Sequence, residues 1–247
     1  MEFRLLGPVE VGARGQVESV RGMLQRSLLA VLVFTSGTVS VSDLIAELWP
    51  EHPPAQARSA LLAQVARLRR SLDRWEADGA TRLVRNPPGY RLKAGKHELD
   101  AAVFQRLRVQ ERRTTDNDQA AALLRQALGL WRGPALCDIG DGPMGKVIIA
   151  RLDQALQQTY AALIERDIAL GRSGEIIEDI EELTARYPLH EVFYDQLMRV
   201  LVTIGRPAEA VEVYRRARNM LALDYGIRPS PALRHRLGDI LALDLDE

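Results

Sequence analysis

The sequence predicts an α+β domain followed by an all-α domain, and three observations carry that reading. Up to about residue 96, short apolar-alternating stretches set off by Gly and Pro turns are interleaved with helical spacing. Beyond that point the spacing is helical throughout. The second part also contains a 34-residue repeat. A chain of 247 residues has room for two ordinary domains, and the change in patterning places them at 1–96 and 97–247.

Composition narrows the function classes. With 47% apolar and 27% charged residues the chain can bury a core. Its longest apolar run, Leu28 to Phe34, is far short of the ~20 residues of a membrane span. The start, Met1-Glu2-Phe3-Arg4, lacks a basic segment followed by an apolar one, so no secretory signal and a cytoplasmic location are expected. The single cysteine, Cys137, excludes an internal disulfide framework. His52, His97, His190 and His235 stand too far apart for zinc spacing. No G-x-S-x-G elbow is present, and Gly140 to Gly145 is followed by Lys146-Val147 rather than the Lys-Ser/Thr of a phosphate loop. No enzymatic activity, metal or other cofactor is therefore expected.

Charge points toward nucleic acid. The net charge is zero, yet residues 1–96 hold 14 Lys+Arg against 9 Asp+Glu, and residues 97–247 hold 19 against 24. The first part is cationic and the second anionic.

Taken in order, Phe3 to Leu6 and Val9 to Val11 read as strands about a Gly7-Pro8 turn, with a second turn at Gly12 to Gly15 and a third strand at Gln16 to Val20. A helix from about Met23 to Thr35 is apolar all round from Leu28, which marks it as buried, and Gly37 ends it. Ser40 and Asp43 form a capping box for a second helix reaching about Trp49. Pro50, Pro53 and Pro54 break the chain, and Pro54 suits the first turn of a third helix, about 54–75. There Ala57, Leu61, Val65, Leu68 and Leu72 form the core stripe. The opposite side carries Ser59, Ala63, Ala66, Arg67, Arg70 and Arg74, with Leu62 at its margin. Thr81 to Val84 and Tyr90 to Leu92 then make a hairpin around Pro87-Pro88-Gly89, with Arg85 and Asn86 at its tip.

Three helices, the third basic, followed by a hairpin with a basic tip is the plan of a winged helix-turn-helix, and duplex DNA is the partner it predicts. Arg58 and Ser59 lie in the first turns of the third helix, where base edges come within reach. Arg67, Arg70 and Arg74 are phosphate candidates, Arg85 and Asn86 of the wing would reach an adjacent phosphate or the minor groove, and Arg21 and Arg26 near the first helix are weaker phosphate candidates. The competing reading is a solvated basic face.

The second part reads as helices at Glu98 to Arg113 and Asp118 to Trp131, a Gly-rich loop from Asp138 to Gly145, and helices at 149–170, 175–187, 192–204, 207–225 and 231–243. Gly171-Arg172 and Gly205-Arg206 are 34 residues apart. At that offset Leu163 matches Leu197, Ile164 Met198, Ile168 Val202, Ile177 Val211 and Ile180 Tyr214. This is tetratricopeptide-like spacing. Glu178, Asp179, Glu181 and Glu182 read as a solvated acidic face, and Trp49, Trp75 and Trp131 as packing residues. No sustained heptad pattern is present, so a monomer is expected in solution.

Almost the whole chain, about residues 2–243, resembles the Streptomyces antibiotic regulatory protein family. Leu28-Leu29-Ala30-Val31-Leu32, Val65-Ala66-Arg67-Leu68-Arg69-Arg70 and Pro88-Gly89-Tyr90-Arg91-Leu92 resemble an OmpR-type winged helix. Leu99-Asp100-Ala101-Ala102-Val103-Phe104, Ala127 to Leu136, Gln196-Leu197-Met198, Gly205 to Ala210 and Tyr225 to Pro231 resemble the bacterial transcriptional activator domain. The resemblance implies a transcriptional activator of antibiotic or other secondary-metabolite genes. It implies binding to promoter direct repeats, with copies head-to-tail, and recruitment of RNA polymerase holoenzyme. By the same resemblance the Trp49 to Pro54 loop, with Trp49, His52 and Pro53, would contact polymerase. One departure stands out: Ala60 to Ala63 is apolar where the family commonly places polar residues. It motivates the alternative of a tetratricopeptide-like interaction module whose degenerate winged helix no longer binds DNA.

Overall fold

The computed structural model describes residues 1–13 and 15–243, so Arg14, in the expected second turn, lies outside the described residues. The chain forms two compact units. The first joins Met1–Gln110 to Arg125–Thr159, and the second joins Glu111–Leu124 to Tyr160–Glu247.

The first unit opens with an antiparallel sheet of β1 (Glu2–Arg4), β2 (Glu10–Ala13) and β3 (Gln16–Ser19), with Phe3 opposite Val11 and Val11 opposite Glu18. Helix α1 (Met23–Phe34) is buried from Leu28 to Val33, as its unbroken apolar surface requires. A two-residue strand, β4 (Val39–Ser40), leads into α2 (Val41–Leu48). The Ser40 hydroxyl accepts the Asp43 N–H at 3.1 Å and donates to the Asp43 carboxylate, so the expected cap is formed. Helix α3 spans Ala57–Trp75. It starts after Pro54, because Gln56 at φ −111°, ψ 55° is still outside helical geometry. Leu61, Val65, Leu68, Leu72 and Trp75 face the core.

A 3₁₀ turn at Gly79–Arg82 leads into β5 (Leu83–Asn86) and β6 (Gly89–Leu92). The second sheet has the order β4-β6-β5. Gly89 is opposite Ser40, and a Cβ there would sit 1.7 Å from the Val39 carbonyl oxygen, so only glycine permits the pairing. This is a winged helix-turn-helix.

The compact unit runs past residue 96 and takes in α4 (Asp100–Glu111), the end of α5 (Asn117–Leu128) and the beginning of α6 (Pro143–Ala169). The Asp100 carboxylate accepts the Leu5 and Leu6 N–H groups at 2.9 and 3.0 Å. The Arg132 N–H donates to Leu6 O at 2.8 Å, and the Leu136 N–H to Gly7 O at 2.8 Å. The Asp138 carboxylate accepts the Val9 N–H at 2.9 Å. Buried backbone groups need such partners, and here the β1–β2 connection finds them in the second half of the chain. Helix α6 starts at Pro143, six residues before the apolar spacing indicates, with proline at its first position.

The second unit is helical, built from the end of α6 with α7 (Ile177–Arg186), α8 (Glu191–Thr203), α9 (Pro207–Tyr225) and α10 (Pro231–Leu243). The 34-residue repeat is a repeat of geometry. Gly171 and Gly205 sit at φ 73° and 77°. Behind them the Arg172 N–H donates to Asp167 O and the Arg206 N–H to Leu201 O, the same Schellman closure twice. Four of the five matched pairs share burial: Ile164 with Met198 and Ile180 with Tyr214 are buried, and Ile168 with Val202 and Ile177 with Val211 are half-buried, whereas Leu163 is half-buried and its match Leu197 is buried. Ile176 with Ala210 and Leu183 with Ala217 extend the match, hidden in the sequence because the second copy uses alanine. Glu178, Asp179, Glu181 and Glu182 are all exposed.

Candidate nucleic-acid interface

The core stripe of α3 turns its other side to solvent. Arg58, Ser59, Ala63, Ala66, Arg67, Arg70 and Arg74 are exposed, and Leu62 is 52% exposed. Arg58, Arg67 and Arg70 make no ion pair among the described residues, while Arg74 donates to the Ser71 hydroxyl at 3.1 Å. The single acid of α3, Asp73, accepts the Ala80 N–H at 2.7 Å and closes the following 3₁₀ turn. The exposed side therefore carries several guanidiniums without ion pairs among the described residues, together with a short apolar stretch at Leu62, Ala63 and Ala66.

Arg69 points elsewhere. Its Nε and Nη2 donate to the Leu83 carbonyl at 3.1 and 2.9 Å and tie α3 to the first strand of the wing. Arg82 anchors the wing base through Glu76 and Glu98 at 2.6 and 2.9 Å. Burial raises the Glu98 pKa, but the bonds from Arg82 and the Gly95 N–H outweigh it and hold the carboxyl below its ordinary value. The Trp75 indole N–H donates to Glu18 at 2.9 Å, so β3 braces the end of the same helix. At the wing tip Arg85 is exposed without an ion pair among the described residues, and the Asn86 amide donates to the Thr38 hydroxyl at 2.6 Å.

The other sequence candidates separate. Arg21 is exposed. Arg26 is spent inside the first unit: its Nε pairs with Asp138 at 3.0 Å and its Nη1 donates to Val20 O at 3.1 Å. His52 and Pro53 are exposed and Trp49 is half-buried. Trp49 and Pro53 line a groove with Ser42 and Ile45 of α2, Arg58 and Pro88 of the wing.

Sequence reasoning missed what holds α2. Glu47 is 1% exposed, and its carboxylate accepts the Met144 N–H at 2.7 Å and the Gly145 N–H at 3.1 Å in the first turn of α6. That helix end offers unpaired N–H groups and a positive dipole end to an anion. Burial pushes the Glu47 carboxyl above the ordinary carboxylate value, and the two N–H groups offset part of that rise. A Cβ on Gly142 would lie 2.2 Å from Glu47 Cδ, and one on Gly145 2.8 Å from its Oε1, so the Gly-rich segment is a socket for this side chain. The Ser27 hydroxyl accepts the Gly140 N–H at 3.0 Å beside it. The sequence signal that could have found it is the position of Glu47 on the same side of α2 as Leu44 and Leu48.

Among the described residues no group of three or more His, Cys, Asp or Glu is placed to hold a metal, and no helix is long and apolar enough to cross a membrane.

Residues 99–241 match the model of the bacterial transcriptional activator domain. The transcriptional regulator RedD of Streptomyces coelicolor is 35% identical over 99% of this chain and 71% of its own length. The regulatory protein DnrI of Streptomyces peucetius is 32% identical over 99% of this chain and 93% of its own. The structure of Mycobacterium tuberculosis EmbR, solved in complex with a low-affinity phosphopeptide, superposes with a TM-score of 0.91 at 32% identity. It covers 98% of this chain, which spans 65% of the EmbR chain.

Proposed function

Because this chain belongs to the Streptomyces antibiotic regulatory protein family of transcriptional regulators, we propose that it activates transcription by binding promoter DNA through α3 and the wing. The observation that carries the reading is the set of exposed guanidiniums of Arg58, Arg67 and Arg70 on α3, none in an ion pair among the described residues, continued by Arg85 on the wing. Arg58 and Ser59 meet base edges in the major groove. Arg67, Arg70, Arg74 and Arg85 meet phosphates, which position the protein without specifying sequence. Asn86 supports the wing tip through Thr38 and adds a further polar contact. Arg21 is a peripheral phosphate contact, and Arg26 drops out because Asp138 and Val20 occupy it.

The sites are direct repeats near promoters of secondary-metabolite genes, the protein is a monomer in solution, and copies pack head-to-tail on DNA. A heterologous contact of that kind requires no palindrome. RNA polymerase holoenzyme is the second partner, met at the Trp49–Pro53 loop, where His52 and Pro53 are free to touch it. The likeness to RedD and DnrI, both regulators from Streptomyces, supports this assignment.

Leu62 and Ala63 on the exposed face favour a second reading, an interaction module without DNA binding. A gel shift of the whole chain on its own upstream region separates the two. A retarded band that random duplex competes poorly supports activation through DNA, and no band at any salt concentration supports the interaction module.

A further inference from the structure

We propose that Leu62, with Ala63 and Ala66 beside it, reads thymine methyl groups in the major groove, so that part of the sequence specificity is carried without hydrogen bonds. This rests on the reading of α3 as the groove-entering helix. Leu61 is 1% exposed and serves the core, whereas its neighbour Leu62 is 52% exposed. On the helix surface Leu62 adjoins Arg58 and Ser59 one turn earlier and Ala66 one turn later. Along the helix the exposed surface is thus apolar at Leu62, Ala63 and Ala66, with Arg58 before it and Arg67 and Arg70 after it.

The surface that complements such a patch is apolar in the middle and anionic at its edges. The major groove has this form wherever thymine occurs: the 5-methyl group is the apolar feature of its base edges, and phosphates line both sides. Ala63 and Ala66 are short enough for the helix backbone to approach the groove floor, and Leu62 supplies the reach. Asp73, the single acid of α3, stands about three turns beyond Leu62 and accepts the Ala80 N–H, away from this patch.

The test uses the full chain and duplexes that it selects from a random library. Each selected duplex is made with thymidine and with deoxyuridine, which lacks the methyl group and keeps the hydrogen-bonding edge. Binding is followed by fluorescence anisotropy. Loss of one buried methyl weakens binding about fourfold, so the deoxyuridine duplex should bind the natural chain about fourfold less tightly. Leu62→Ala should bind the thymidine duplex with a similar loss and should no longer distinguish the two. Leu62 packs into no core, so this variant folds. Equal binding of both duplexes by the natural chain, a selected sequence without thymine, or full discrimination retained by Leu62→Ala would overturn the methyl reading while leaving salt-dependent DNA binding intact. Failure to bind any duplex would overturn the DNA-binding reading itself.

Discussion

The Glu47 carboxylate and the Gly145 N–H meet at 3.1 Å across 98 residues of chain, and a Cβ on Gly145 would lie 2.8 Å from the same oxygen and force it to shift. Glu47→Ala leaves the Met144 and Gly145 N–H groups without an acceptor and should destabilise the protein by about 1–3 kcal/mol. Gly145→Ala should cost a similar amount through overpacking against Glu47 and Ile139. The double variant should cost clearly less than the two together, since each change relieves the other's conflict. Urea unfolding of the four proteins measures the coupling, and strict additivity would show that the two residues do not share a site.

The amino-terminal part depends on the chain beyond residue 96. A fragment of residues 1–96 lacks the Asp100, Arg132, Leu136 and Asp138 groups that satisfy the backbone from Leu5 to Val9. It should lack the sigmoidal thermal transition, followed by circular dichroism, that is expected of the whole chain. A fragment that melts as cooperatively as the whole chain would contradict this.

The arginines of α3 should fall into two energetic classes. Arg70 lies 13 residues beyond Ala57, the first residue of a 19-residue helix, or about 20 Å along its axis at 1.5 Å per residue. Arg70→Ala should weaken specific and random duplexes equally and reduce the slope of log affinity against log salt by about one. Arg85→Ala should behave alike. Arg58→Ala or Ser59→Ala should cost about 1–3 kcal/mol on the selected site alone. Salt titrations on two duplexes per variant decide it, and unchanged affinity and slope for both Arg70→Ala and Arg85→Ala would remove this face from DNA binding.

Gly171 and Gly205 hold the same left-handed turn with nothing within 4 Å of where a Cβ would stand. Alanine therefore strains only the backbone. Gly171→Ala and Gly205→Ala should each cost about 1–2 kcal/mol, with similar values for the two sites, and asparagine should cost less at either. Thermal unfolding of the paired variants checks the equality.

His190 introduces a pH dependence. Burial beside the Phe193 ring, 4.6 Å away between centroids, pulls its pKa below the ordinary 6.5. The unfolded chain then binds the proton first, so stability is complete above about pH 6.5 and declines as pH falls toward the folded-state value. Glu47 has the opposite sign: its raised pKa gives a contribution that is complete below about pH 4.5 and is lost as pH rises through the folded-state value. Measured by urea unfolding at each pH, His190→Gln should flatten the decline below about pH 6.5, and Glu47→Gln should not flatten it.

The sequence made α3, the wing and the helical repeat legible because each has a period or a turn with a local cause. Ser40 and Asp43 announced α2 in the same way. β4 was not legible, since two residues cannot show alternation and its pairing depends on Gly89, far along the chain. Arg69 and Arg70 are adjacent and chemically identical, yet one bonds the wing and the other faces solvent, a difference set by about 100° of helix rotation and by where Leu83 arrives. Glu47 read as an unremarked helix acid, and Gly142 and Gly145 as loop residues, because their meeting is tertiary. Arg26 looked like a surface cation until Asp138, 112 residues on, came to meet it.

The separations that join Leu5 to Asp100 and Val9 to Asp138, 95 and 129 residues, also order events on the ribosome. A nascent chain is made at roughly 5–20 residues per second and ordinarily folds from its amino terminus. Here the β1–β2 connection waits for Asp138 to emerge before its backbone is satisfied. An abortive product ending near the wing would present its arginines on an unfinished scaffold, open to proteases.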